Sequence, residues 1–351
     1  NEFVFQPTKS GKYEIEFQSI DRDMNYSKPL KIKLSVVGPW FSNPATAIPF
    51  WGGLVLLLSF SFYTFRKYIG QRRYTSKLKE EAQIKDREAR ERLEEKNKEI
   101  LDSINYAKRI QSAILPSNRA VKAYLKDSFV LYKPKDVIAG DFYWLEYHEN
   151  KTYFAAADCT GHGVPGGFLT VLGNLIIETI ATNKTISPNE ILSKINQELV
   201  LILNQKEDNS IQDGMDLAIC VINKKSKKVV FSGARNGVYI VSSTGNLKEY
   251  KGDYTPVGGS YFKKEKLEQR IYTTHEFSLK KGDWVFMYTD GYYDQFGGMK
   301  NKSMGVNNFK NILCNSVKQN LDLYSELKKG FLNWKGNNFQ LDDVLVFGFT
   351  I

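Results

Sequence analysis

"FAAADCTGHGVPGGF", Phe154 to Phe168, carries a short apolar run into an acid and then into a loop rich in glycine. The run Tyr153–Ala157 has the length and character of a strand inside a sheet, and the apolar stretch Gly167–Ala181 reads as a helix. Gly161, Gly163, Gly166 and Gly167 let the chain turn tightly between the two, and they serve packing equally well. The stretch is therefore a strand, a turn and a helix, with Asp158 at the strand's end. Such a turn either merely connects or holds something.

The same alternation runs through the rest of the chain from about Tyr124. Further strands read at Leu217–Ile222, Val229–Phe231, Val238–Val241, Trp284–Tyr288 and Val344–Phe349, and further helices at Pro188–Asn204 and Leu321–Trp334. Several neighbouring strands are separated only by short turns, Asn223 to Lys228 and Ser232 to Gly237. This favours antiparallel pairing and an α+β domain over a doubly wound parallel sheet.

Acids recur in this domain in one kind of place. Asp141 stands in "IAGDFYWL", Asp213 and Asp216 in "DGMDLAIC", Asp290 in "VFMYTDGYYD", and Asp342 with Asp343 in "LDDVLVFG". Like Asp158, each lies at one end of a strand-like run. Any one of them alone is a turn residue or a helix cap. Together they gather at a sheet edge, where close carboxylates repel unless a cation neutralises them. Oxygen ligands without His or Cys spacing point to Mg²⁺ or Mn²⁺. A pair of such ions lowers the pKa of a bridging water and holds a phosphoryl oxygen for in-line attack. Other chemistries lack their marks: the sequence has no GxSxG elbow, no GxxxxGK[ST] loop and no HExxH.

Outside this domain the pattern changes. Tyr13, Ile15 and Phe17, then Leu30, Ile32, Leu34 and Val36, alternate with polar residues and predict two half-buried strands joined by a polar turn. Two strands cannot hold a core alone, so this is expected to be the end of a larger β domain, and the chain, beginning "NEFVFQP", a piece of a longer protein. No charge occurs from Gly38 to Phe65. A helix crossing roughly 30 Å of hydrocarbon needs about 20 such residues. Trp40 and Trp51 flank one side, and a basic cluster beginning Arg66, Lys67, Arg72, Arg73 flanks the other, which orients the basic end to the cytoplasm. A buried core helix is the competing reading.

Residues 66 to 115 lack proline and, after Gly70, glycine, so one long helix is expected, ended by Pro116. Leu93, Asn97, Ile100, Ile104, Ala107, Gln111 and Ile114 keep a 3,4 spacing. That is a coiled-coil seam with two polar positions, or else one amphipathic helix lying on its own domain.

Composition sets limits on all of this. A chain of 351 residues exceeds one typical domain, and 42% apolar with 25% charged residues predicts a folded protein. The net charge of +10 follows the apolar segment and is nowhere interleaved with aromatics, which argues for a membrane face and against nucleic acid. Cys159, Cys220 and Cys314 are odd in number and lack CxxC spacing, so neither a disulfide framework nor a zinc site is indicated.

With these residues assembled, the domain from about Asp136 to Ile351 resembles the SpoIIE/RsbU branch of the PPM-type (protein phosphatase 2C-like), metal-dependent Ser/Thr phosphatases. "AGDFYW", "ADCTGHGVPGGF", "DGMDLAIC", "KGDWVFMYTDGYYDQFGG" and "LDDVLVFGF" fall in the family's order and spacing. "DSINYAKRIQSAILPS", Asp102 to Ser117, is similar to the helical linker of Bacteroidetes members, and the first region resembles the end of a triple-tyrosine β-sandwich. The resemblance implies a PPM-type β-sandwich flanked by helices at 121–351. It is preceded by an extracytoplasmic β-sandwich fragment (1–38), a transmembrane helix (45–65) and a coiled-coil linker (66–116). With the apolar segment, its basic flank and the seam, the expectation is a single-pass protein of the cell inner membrane with its phosphatase in the cytoplasm and a homodimer through residues 93–115. The implied substrate is a phosphorylated regulatory protein such as an anti-sigma-factor antagonist.

The resemblance also implies two Mn²⁺ or Mg²⁺ ions. Asp158 bridges both, and the backbone carbonyl of Cys159 serves one. Asp290 and Asp342 complete that metal's shell, with Asp343 open as the alternative, and Asp141 holds the second metal or its waters. Asp213 and Asp216 match a motif near a third, weaker metal, or form a strand-start pair ordering the turn. His162 is either a general acid for the leaving oxygen or a residue that shapes the turn. In "FSGARNGVYIV" the chain departs from the family, which often carries a small or polar residue and then proline near Arg235 to Gly237; Arg235 reads as a phosphate contact or as a solvated turn residue. The rival function is a binding module of the same fold without turnover. Its mark would be lost metal ligands, and all four main acids are present.

Overall fold

The computed structural model describes residues 4–182, 185–206, 211–259 and 269–351. Two compact units divide the chain at Glu95 and Lys96.

In the first unit β1 (Gly11–Phe17) and β2 (Leu30–Val36) pair antiparallel, with Tyr13 opposite Leu34 and Ile15 opposite Ile32. The period of two puts the apolar residues on one face, where Phe17, Leu30, Ile32 and Leu34 remain exposed. The turn is held by Asp21, whose Oδ1 accepts the backbone N–H groups of Asp23 and Asn25. Helix α1 (Pro44–Ile114) begins in this unit and ends in the second. It contains a window long and apolar enough to cross a membrane, none of it buried.

The second unit is built from two stacked sheets with helices outside both. One sheet runs β4 (Asp141–His148), β5 (Lys151–Cys159), β6 (Gly214–Asn223), β7 (Lys228–Ala234) and β11 (His275–Ser278), with β10 (Val257–Gly258) paired to the start of β6. The other runs β3 (Ser128–Lys133), β15 (Val344–Thr350), β12 (Trp284–Tyr288), β8 (Val238–Val241) and β9 (Leu247–Tyr250), and a short β13 (Phe296–Gly297) and β14 (Lys302–Ser303) pair beside it. All these pairings are antiparallel, as the short turns predict. The chain crosses between sheets from β3 to β4, from β7 to β8, from β9 to β10 and from β11 to β12.

Alternation along each strand makes the layers. Phe154, Ala156, Ala218 and Cys220 meet Met287, Phe347 and Phe349 between the sheets. Phe142, Trp144, Ala155 and Ile219 face outward onto α3 (Gly163–Ala181) and α4 (Pro188–Ile202). On the far side Phe286, Val344 and Val346 meet α5 (Val306–Lys318) and α6 (Leu323–Lys335). The fold is thus α+β, a sandwich flanked by helices. Helix α3 is also apolar enough to cross a membrane, but more than half of it is buried, so it is a core helix. Helix α4 starts as its sequence dictates: Ser187 and Glu190 form a reciprocal capping box with Pro188 in the first turn. A short α2 (Asn118–Tyr124), capped by Ser117, follows the proline that stops α1.

The end of α1 differs from a free seam. Within the second unit Ile104, Ala107 and Ile114 are partly covered, and Gln111 is only 4% exposed. Gln111 Nε2 donates to the carbonyl of Ala139 at 2.6 Å and its Oε1 accepts the N–H of Ala139 at 3.1 Å. From Ile104 onward the stripe packs on its own domain. Leu93, Asn97 and Ile100 stay exposed.

Candidate active site

The strand-end acids meet at one end of the sandwich, and strand register brings them there. Asp141 lies directly opposite Asp158, and Asp158 directly opposite Asp216. Paired residues point to the same face, and theirs is the face between the sheets. From the second sheet Asp290 enters just after β12, and Asp342 and Asp343 enter just before β15. Like charges side by side destabilise a sheet, so three in a row mark a place where stability yields to function.

The neighbouring loops are tightly made. Gly161 and Gly163 adopt φ of +84° and +66°, the left-handed region that suits glycine. A Cβ on Gly166 would run into the carbonyl of Gly161, so the first turn of α3 sits on this loop. Thr160 Oγ1 donates to the carbonyl of Gly214 at 2.8 Å, tying the loop to β6. Thr289 Oγ1 donates to Asp141 Oδ2 at 2.7 Å and accepts the N–H of Leu345 at 3.0 Å, which links the two sheets through an acid.

A cavity of about 260 Å³ opens among these parts, lined by Asp158, Asp216, Asp290 and Asp342 together with Cys159 and His162. Burial and repulsion by Asp158 push Asp141 well above the usual carboxylate range. Burial, then Asp290 and Asp342, do the same to Asp158. Asp290 is pushed up to about 6 by burial and Asp342, and Asp216 to about 6 by burial, with Arg235 opposing. After burial, the charge of Asp290 does most to raise Asp158, so the two carboxylates repel when nothing else neutralises them.

The donor set is oxygen throughout. Among the described residues no three acidic, His or Cys side chains converge on one point as a finished cage. The acids instead ring the cavity, a spacing that fits hard cations keeping several waters. The residues fit Mg²⁺ or Mn²⁺, since two or more crowded carboxylates need positive charge to ionise together.

The tandem acids part company. Asp342 lines the cavity, whereas Asp343 is 2% exposed and accepts the backbone N–H groups of Lys135 at 2.7 Å and Gly140 at 2.6 Å. Asp213 does not line the cavity; its carbonyl accepts Gln205 Nε2, just ahead of β6. Cys159 is buried, and burial beside Asp158 and Asp141 pushes its thiol well above its ordinary value, so only its main chain is available. His162 stands at the rim, its Nδ1 2.7 Å from Asp136 Oδ2. Asp136 is the participant that sequence reading missed. A lone acid in "KPKDVIAG" carries no signal of a histidine 26 positions on.

The SpoIIE family, described as Stage II sporulation protein E, matches residues 148–351, more than half of the chain. The chain belongs to the SpoIIE family. The SiaA-PP2C domain of Pseudomonas aeruginosa is similar at 28% identity and TM-score 0.64, covering 73% of this chain and 98% of that one. The PP2C phosphatase domain and regulatory-domain fragment of SpoIIE from Bacillus subtilis shares the fold at 16% identity and TM-score 0.51, covering 64% and 63%. No curated protein sequence matches the chain. The second unit therefore carries a PPM-type protein-serine/threonine phosphatase domain of a metal-dependent family.

Proposed function

We propose that this SpoIIE-family chain is the output part of a membrane receptor. Its phosphatase acts on phosphoserine or phosphothreonine in a regulatory protein such as an anti-sigma-factor antagonist. The reading places a single span within 45–65 in the cell inner membrane, the 1–38 region outside and the phosphatase in the cytoplasm. It is supported by an uncharged, unburied helical window followed at once by basic residues. The exposed Leu93, Asn97 and Ile100 offer the face through which two copies would pair.

One observation carries the catalytic reading: Asp141, Asp158 and Asp216 in direct register, facing Asp290 and Asp342 across the sandwich. Asp158 with the Cys159 carbonyl, Asp290 and Asp342 would hold one Mn²⁺ or Mg²⁺, and Asp141 with Asp158 a second. Asp216 suits a third, weaker position, whereas Asp213 lies off the cavity. Bound there, the ions supply an acidified water and positive charge for the phosphoryl oxygens. The protein holds the rest in place. Asp343 and Gln111 fix the loop before Asp141, Thr289 orients the Asp141 carboxylate, and Asp136 fixes the His162 ring at the rim, where it can protonate the leaving serine oxygen.

The test is hydrolysis of a phosphoserine peptide by the detergent-solubilised chain as Mn²⁺ is titrated. Turnover is expected only with metal, and Asp158→Asn is expected to lower it by more than about 100-fold, beyond the loss seen for partners that only support a ligand. Turnover without metal, or surviving in Asp158→Asn, would refute the reading.

A further inference from the structure

Arg235 stands where two cavities meet. On one side it borders the acidic cavity with Asp158, Asp216, Asp290 and Asp342. On the other it borders a groove of about 390 Å³ that includes Lys251, Tyr254 and Tyr293. The groove leaves its guanidinium approachable from outside.

The backbone that carries it is fixed and unusual. Arg235 has φ +61°, which glycine or asparagine adopts at less cost than arginine. The turn from β7 to β8 is nonetheless clasped in place. The N–H of Arg235 donates to the carbonyl of Asp253 at 2.7 Å, the N–H of Asp253 to that of Gly233 at 2.8 Å, and Asn236 Nδ2 to that of Asp216 at 3.1 Å. Backbone geometry therefore gives no reason for an arginine, and the reason lies in its side chain.

That side chain is half exposed, its Nε 3.6 Å from Asp216 Oδ2. At this separation Asp216 attracts the guanidinium without a hydrogen bond. Electrostatics add a need for it. A phosphomonoester arrives with negative charge, and two divalent cations only balance the four carboxylates expected to hold them. With Asp216 also lining it, the cavity is then left with net negative charge that repels its substrate. A guanidinium at the mouth offsets that charge and presents a planar fork that matches two phosphate oxygens.

We propose that Arg235 binds the substrate: its guanidinium takes the non-bridging oxygens of the incoming phosphate at the mouth of the acidic cavity. This rests on the phosphatase reading above, and the experiment separates the two. In the Mn²⁺-loaded, detergent-solubilised chain, inorganic phosphate binding is measured calorimetrically, and phosphoserine-peptide kinetics are run beside it. Arg235→Asn keeps the backbone conformation accessible and removes the charge, and Arg235→Lys keeps charge without the fork.

Arg235→Asn is expected to weaken phosphate binding and to raise the peptide KM by about tenfold or more, with kcat less affected. Arg235→Lys is expected to recover part of the loss, and the Mn²⁺ titration to stay in place. Unchanged phosphate binding and KM in an active Arg235→Asn protein overturns the proposal, as does a loss that disappears when Mn²⁺ is raised. Arg235-dependent phosphate binding without turnover upholds it and sinks the phosphatase reading. Neither binding nor turnover in the unaltered chain sinks both.

Discussion

Asp343 accepts two main-chain amides from the loop Lys135–Gly140, whereas Asp342, one residue earlier, borders the cavity. Substituting each separates support from ligation. Asp343→Asn exchanges one carboxylate oxygen for an amide nitrogen that cannot accept from a backbone N–H, leaving a buried donor unpaired. Such a loss costs about 2–3 kcal/mol, so melting of the metal-free chain should fall by roughly 5–10 °C for a unit of this size. Asp342→Asn removes a charge from a crowded set and should leave that melting point unchanged or slightly raised, while the Mn²⁺ needed for half-maximal activity rises by more than about tenfold. Thermal melts in chelator and Mn²⁺ titrations read the two effects. If Asp342→Asn lowered the metal-free melt as far as Asp343→Asn does, the division of labour would be wrong. The motif "LDDVLVFG" shows both acids but not this difference, which depends on where the amides of a loop some 200 residues earlier fall.

Among the elements, the last turns of α1 act as part of the phosphatase domain through Gln111. Its amide reads Ala139 as a neighbouring strand would, one acceptor and one donor, two residues before Asp141. Thr170 Oγ1 of α3 donates to the carbonyls of Ala139 and Gly140, so three elements fix this loop. Gln111→Leu keeps the volume and strands the buried N–H of Ala139, whose carbonyl keeps the Thr170 hydroxyl, at a cost of about 1–3 kcal/mol. The expected outcome is a lower melting point together with a several-fold higher Mn²⁺ requirement, because the loop that positions Asp141 loosens. A melt that drops with no change in Mn²⁺ requirement would show that the helix supports the domain without reaching the site. The spacing of Ile104, Ala107, Gln111 and Ile114 was legible in the sequence; its partner was not, because a stripe fits a second helix or its own domain equally well. Strands such as β5, β6 and β15 were legible as short apolar runs, whereas β3, "SFVLYK", was not, its brief apolar run lying between polar ends. Helix α5 was not, since "VNNFKNILCNSVK" has many weak helix formers and only Phe309, Leu313, Ser316 and Val317 buried. The acids at the site were visible as strand ends. Asp136 and the register that aligns Asp141, Asp158 and Asp216 were not, because both depend on contacts distant in sequence.

For the whole chain, the gathering of acids has a thermodynamic sign that separates it from ordinary surface charge. Asp216 and Asp290 rise from 3.8 to about 6 on folding, and Asp141 and Asp158 rise well above their ordinary value. The folded protein therefore holds these protons more tightly than the unfolded chain does. The stability they contribute is full below pH about 4 and is lost as pH rises through about 6 and beyond, when buried carboxylates must ionise beside one another. Asp21, Glu149 and Glu190 are lowered and act oppositely, but they are exposed, where such effects are small. In chelator, the melting point at pH 7.5 should lie below that at pH 5 by roughly 5–10 °C, corresponding to a few kcal/mol. Mn²⁺ should reverse the order. It favours the ionised acids, displaces their protons and so binds more tightly as pH rises. Calorimetric melts at both pH values, with and without Mn²⁺, decide it. A metal-free protein equally stable at both, or one whose pH dependence Mn²⁺ leaves unaltered, would mean that the acids are not a cation site. A reversal would show that the same repulsion that weakens the empty fold drives metal binding in the loaded one.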